Sequence, residues 1–197
     1  MDKNNEILGF WEWFKSISDA LHADMKNSDI LKVLDNRIKE IGPFDWEIGP
    51  LNETVLYLAI SPCLNQELMK KTIEIVGNAP SCPGWTFLYA KPSKGYSPTF
   101  NMINEYGRAI EVNTSTWMYV LFYFDDGTLD IDVKISTVHG DVKTEALAVE
   151  IALTNIIGEE KFIKLLKNVR IVNDFGSDEF NATSIKYLSN HLDKILK

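Results

Sequence analysis

The sequence predicts an α+β protein with a helical hairpin, two hairpin–helix–strand halves of split β-α-β type, and a C-terminal helix. Apolar residues first recur at spacings of three and four, as on a packed helix face, and then twice change to the alternation typical of strands. Hairpins and helices are grouped rather than regularly alternating, which favours α+β over a Rossmann-like fold. The 197 residues are 45% hydrophobic, enough for a core without metal or disulfide support.

The first two elements are predicted to be helices that pack as a hairpin. Residues 6–25 place apolar side chains along one helical face. Residues 30–41 repeat this pattern after the capping candidates Asn27 to Asp29, and Gly42-Pro43 ends it. The link between the helices is short, so we expect them to lie side by side.

The first half follows in residues 44–90. Alternation in 44–48 and an apolar run in 54–60 predict a strand hairpin, and 66–76 has the spacing of a helix. Residues 85–90 predict a strand, which a right-handed crossover would set parallel to 54–60.

The second half begins after residues 91–106, which lack periodicity and predict a loop at the border between the halves. We therefore divide the chain into 1–95 and 96–197, within one compact protein. Strands are predicted at 108–112, 116–124, 128–136 and 169–172, and helices at 143–157, 159–166 and 184–196.

Charge and composition exclude several classes of function. A net charge of −8 and a pI of about 4.9 oppose nucleic-acid binding. The longest apolar run, 117–124, is too short to cross a membrane, and the start of the chain lacks the pattern of a signal peptide, so we expect a cytoplasmic protein. A predicted helix separates Cys63 from Cys82, so both are expected to be free thiols.

The chain carries no recognisable catalytic or metal-binding motif, and we predict no catalytic residue, metal or cofactor. Its three histidines fall on different elements. The carboxylates of residues 125–132 are interpreted as a solvated strand face rather than a calcium or magnesium site. A Cys63–His139 pair across the halves and a phosphate-binding loop at 91–96 are the alternatives.

The hairpin of residues 116–136 is the candidate binding surface. A two-residue turn at Asp126-Gly127 would place Tyr123 opposite Asp130, with the alternate residues Phe122 and Ile131 in the core. The exposed face would then combine aromatic and charged residues, as protein contacts often do. The candidate binding residues are Trp117, Tyr119, Tyr123, Asp130 and Asp132. The alternative is that a helix covers the aromatic half and leaves the charges at its rim.

Five distinctive segments occur in order along the chain: Phe10–Phe14, Trp46–Pro50, Ala79–Trp85, Ala90–Pro92 and Leu153–Glu159. Together they resemble a family of bacterial cytosolic proteins with no established activity, over about residues 6–174. The chain departs from the family pattern at 161–175 and adds a helix from Ser184. The resemblance implies a bacterial protein with a single fold and supplies no catalytic residue.

Two functional hypotheses follow. The first is a non-enzymatic cytosolic protein-binding or regulatory protein, which sequesters a basic protein partner in the manner of immunity proteins, by charge analogy alone. The alternative is an enzyme or small-ligand-binding protein with its site in a cleft between the two halves.

Overall fold

The computed structural model describes residues 3–136, 138 and 140–195 and shows a mixed α+β fold, which confirms the predicted fold class. The chain divides into two compact units, Met1–Lys91 and Pro92–Lys197. Within the described ranges, no helix combines the length and the apolar character needed to span a membrane.

The first unit contains two helices followed by a three-stranded sheet, with a third helix between the last two strands. Its elements are α1 (Lys3–Ala23), α2 (Ser28–Ile41), β1 (Asp45–Pro50), β2 (Leu56–Ser61), α3 (Gln66–Gly77) and β3 (Trp85–Leu88). Strand β2 lies in the centre, with β1 antiparallel on one side and β3 parallel on the other. The central strand is buried along its whole length, as its continuous apolar sequence predicts.

Aromatic side chains of α1 form much of the core of this unit. The ring of Phe14 meets that of Trp85 edge to face at 5.1 Å between centroids, and Trp11 lies 4.6 Å from Phe87. Trp11 falls outside the main apolar stripe of α1, but its indole N–H donates to the Ile75 carbonyl oxygen at 2.8 Å. This bond satisfies its polar atom while the ring stays buried.

The second unit contains a two-stranded and a four-stranded sheet. Its elements are β4 (Thr99–Ile103), β5 (Ala109–Asn113), β6 (Met118–Tyr123), β7 (Leu129–Lys134), α4 (Val142–Ile157), α5 (Glu159–Leu165), β8 (Leu166–Ile171), β9 (Thr183–Ser184) and α6 (Leu188–Ile195). Strands β4 and β5 pair alone, and the larger sheet has the order β8-β7-β6-β9. Its core side packs on apolar residues of α4 and α6.

Three expectations about these elements were wrong. The predicted loop 91–106 contains β4, which was missed because only Phe100 and Met102 of this strand point inward. The predicted terminal helix begins four residues later than expected, after β9 and a 3-10 turn at Ile185–Tyr187. The parallel pairs β2–β3 and β7–β8 are directly hydrogen-bonded, so each unit has an ordinary β-α-β crossover instead of a split one.

The β6–β7 hairpin has a different register from the predicted one. Gly127, at φ 81°, donates its backbone N–H to Phe124, and Phe124 donates to Thr128, both at 3.0 Å. The loop therefore has three residues and ends in a left-handed glycine, the usual form after a type I turn. A shift of one residue reverses the faces of one strand relative to the other. Tyr123 lies opposite Leu129, and Phe122 opposite Asp130.

Candidate functional site

The five candidate binding residues lie on two sides of the four-stranded sheet rather than on one exposed face. Trp117 and Tyr119 are fully buried in the core, and Tyr123 at the strand end is 49% exposed. Asp130 and Asp132 face the other side, where they lie opposite Phe122 and Val120. The predicted exposed face was wrong. The face of β7 that was assigned to the core is the correct one, but the two faces of β6 were exchanged.

Asp130 and Asp132 are engaged by strand β8. Asn168 donates its side-chain N–H to Oδ1 of Asp130 at 2.8 Å, and Nη1 of Arg170 lies 3.5 Å from Oδ2 of the same carboxylate. The Nε of Arg170 lies 2.5 Å from Oδ1 of Asp132. Asp130 is only 6% exposed. These two carboxylates therefore hold the sheet together and are not a free acidic rim.

Arg170 is central to this side of the sheet. Its guanidinium also lies over the Phe122 ring, 5.5 Å from the centroid. The hydrogen bond to Asp132 raises the pKa of the guanidinium above its ordinary value, so the group stays charged. Sequence reasoning missed Arg170 and Asn168, because the strand predicted at 169–172 excludes Asn168 and its pairing with β7 was not predicted.

On the core side, the two tyrosines of β6 meet a histidine of α6. The hydroxyl of Tyr119 lies 2.8 Å from Nδ1 of His191, and that of Tyr123 lies 3.4 Å from Nε2. Burial raises the pKa of both tyrosines above the ordinary value of 10, so both hydroxyls are neutral at physiological pH. The cluster can relay hydrogen bonds through the imidazole, but it holds no phenolate that could act as a base or nucleophile.

The tip of the hairpin, residues Tyr123–Gly127, presents the most exposed aromatic and acidic groups of this sheet. Phe124 is 41% exposed and lies beneath Lys167, whose Nζ is 5.3 Å from the ring centroid. Asp125 and Asp126 are exposed. Hydrogen bonds from the Thr128 hydroxyl and backbone N–H lower the pKa of Asp126, so its carboxylate is charged. The strand and turn predictions covered these residues, but sequence reasoning assigned only Tyr123 of them to the site.

The cysteines are both free, as predicted. Cys82 is buried, and burial raises the pKa of its thiol, which lowers its reactivity. Cys63 is exposed at a turn with φ 53° before α3. Its proposed partner, His139, lies outside the described residues. In the candidate phosphate loop, the Lys91 ammonium forms an ion pair with Asp45 at 2.7 Å.

Among the residues that the structure describes, no three His, Cys, Asp or Glu side chains converge as metal ligands would. Comparison of the chain with protein-family models, with curated proteins and with solved structures found no match.

Proposed function

We propose that this chain is a cytosolic protein-binding or regulatory protein that acts without catalysis, and that the tip of the β6–β7 hairpin binds a basic partner protein. The observation that carries the proposal is the combination of two exposed aromatic rings, Tyr123 and Phe124, with two exposed carboxylates, Asp125 and Asp126. Aromatic anchors bordered by charged groups are typical of protein interfaces.

The tip is held in position before any partner arrives. Tyr119, Leu129 and Ile131, in the strands below it, are buried in the core. The turn itself is closed by the Phe124–Thr128 backbone bond and by the Asp126 side chain, which accepts two hydrogen bonds from Thr128. A surface that is already ordered loses little conformational entropy on binding, so its contacts contribute more to affinity.

Charge supports a basic partner. The whole chain has a formal net charge of −8, and the electrostatic field of this charge attracts cations over distances longer than a contact. Asp125 and Asp126 take the role that the sequence pattern predicted for Asp130 and Asp132, since both of those carboxylates are paired with Arg170. Carboxylates beside aromatic anchors would speed the encounter and set its orientation, which is how an acidic protein sequesters a basic one.

The test is affinity capture from an extract of the source cell, with the double variant Tyr123→Ala/Phe124→Ala. Phe180→Ala is a matched control, because Phe180 is an 84% exposed aromatic residue outside the hairpin. We expect the wild type and the control to retain the same protein and the double variant to lose it. Equal retention by all three would exclude the hairpin tip. Co-purification of a small molecule without any protein would favour an enzyme or ligand-binding protein.

A further inference from the structure

A depression lies between helices α1 and α2 of the first unit, where the N-terminal part of α1 meets the last turn of α2. Its volume is about 400 Å³. The lining residues are Glu6, Gly9, Phe10, Arg37, Glu40 and Ile41. This volume is within the range of pockets that hold small organic ligands.

Gly9 is the residue least expected in this position. It lies in the interior of a 21-residue helix, where glycine is less favourable than almost any other residue. A Cβ atom added at Gly9 would meet no heavy atom within 4 Å, so packing in the protein does not require glycine there. Because Gly9 lines the depression, the missing side chain keeps this volume open.

The chemistry of the lining favours a cation on an aliphatic chain. Ile41, which is half-buried, provides apolar surface, and Glu6 and Glu40 provide two carboxylates. The carbonyl end of α2 adds partial negative charge at the same place. Among the lining residues that the structure describes, the cation is Arg37, which lies over the Trp13 ring at 4.8 Å, in a cation–π contact.

We propose that this depression is a binding site for a free aliphatic amine or guanidine. The charged group would bind between the Glu6 and Glu40 carboxylates, and the methylene chain would lie against Ile41 in the space left by Gly9. The proposal is independent of the hairpin tip, which belongs to the second unit.

Titration of the purified protein with agmatine, followed by calorimetry and by NMR of backbone amides, tests the site. We expect saturable binding, with shifts at residues of α1 and α2, and no binding of the uncharged analogue 1,4-butanediol. Glu6→Gln/Glu40→Gln should weaken agmatine binding by about tenfold or more, because the acceptors lose the negative charge that strengthens their hydrogen bonds to the cation.

Gly9→Leu should abolish agmatine binding, because the leucine side chain fills the space that the methylene chain would occupy. Gly77→Leu is the matched control, since Gly77 is also helical and a Cβ there also meets nothing within 4 Å. Circular dichroism melts establish that each variant is folded. No saturable binding to the wild type, or equal binding to the wild type and the folded Gly9→Leu variant, would overturn the proposal.

Discussion

The Nε atom of Arg170 lies 2.5 Å from Oδ1 of Asp132, across the parallel strands β8 and β7. The same guanidinium reaches Asp130 at 3.5 Å. One arginine thus joins two carboxylates that the sequence pattern places on a solvated face. The two aspartates therefore contribute to the structure of the sheet and not to the rim of a binding surface. This changes the effect on stability that we expect when they are mutated.

Asp130→Ala should lower the free energy of unfolding by about 1–3 kcal/mol, because it leaves polar groups of Asn168 and Arg170 without their partner. Asp125→Ala is the control and should change it by less than about 0.5 kcal/mol, since Asp125 is exposed. Urea unfolding followed by circular dichroism measures both. Equal, small effects at the two positions would contradict the structural role of Asp130.

Ile131→Ala and Phe122→Ala should lower the free energy of unfolding by different amounts, although the sequence pattern predicts that both residues lie in the core. Ile131 is fully buried, so its truncation should cost about 2–5 kcal/mol. Phe122 lies on the other face, half-buried beneath Arg170, and should cost clearly less. Denaturation midpoints of the two variants decide the matter. A larger loss for Phe122→Ala would support the register expected from the sequence.

The turn at Asp125–Gly127 explains why the sequence predicted the strands of the hairpin but not their pairing. An Asp-Gly pair suits both a two-residue turn and a three-residue turn that ends in a left-handed glycine. The pattern of β6 does not decide between them, because both of its faces carry apolar side chains. In β7, by contrast, Leu129, Ile131 and Val133 alternate with polar residues, and these three are buried as expected.

In the rest of the fold and in the sites, too, apolar patterning predicts the elements but not how they pack or pair. The long helices follow from periodicity because each has many inward positions, whereas β4 has only two and was missed. The depression at Gly9 depends on how α1 and α2 pack, which a one-dimensional pattern does not contain. Residues that pair across strands, such as Arg170 with Asp132, become visible only when the strand order and register are known.

Asp141 should make the stability of the protein depend on acid. It caps α4, and the hydrogen bond from the Thr144 backbone N–H is the main cause that lowers its pKa from 3.8 to about 2. A carboxyl with a lowered pKa stabilises the folded state above its unfolded pKa, and this contribution is lost as pH falls through the folded pKa. The contribution of Asp141 is therefore complete above about pH 4 and disappears toward pH 2.

Asp141→Asn tests this dependence, because asparagine also caps helices but carries no charge. We expect the wild type to be the more stable protein near neutral pH, and the difference between the two to shrink between pH 4 and pH 2. Urea unfolding curves at several pH values give this difference. Parallel pH profiles for the two proteins would show that the Asp141 charge does not contribute.

Alanine substitutions at two glycines should change the free energy of unfolding in opposite directions. Gly9→Ala should raise the free energy of unfolding by up to about 1 kcal/mol, because alanine favours the helix and its Cβ meets open space. Gly127→Ala should lower it, since Gly127 has φ 81°, where a Cβ is strained. Thermal and urea unfolding of both variants provide the measurement. Destabilisation by Gly9→Ala would mean that the α1 position is packed in solution.

If the hairpin tip is the interface, its variants should change the association and dissociation rates of the captured partner. Asp125→Lys should mainly lower the association rate, because an exposed carboxylate steers the encounter. Glu111→Lys is the matched control, since Glu111 is also an exposed carboxylate and lies on β5. Phe124→Ala should mainly raise the dissociation rate, because it removes an aromatic anchor. Raising the salt concentration from about 50 to 200 mM should slow association of the wild type as its charges are screened. Surface plasmon resonance with the purified partner measures both rates, and wild-type values for Asp125→Lys and Phe124→Ala would place the interface elsewhere.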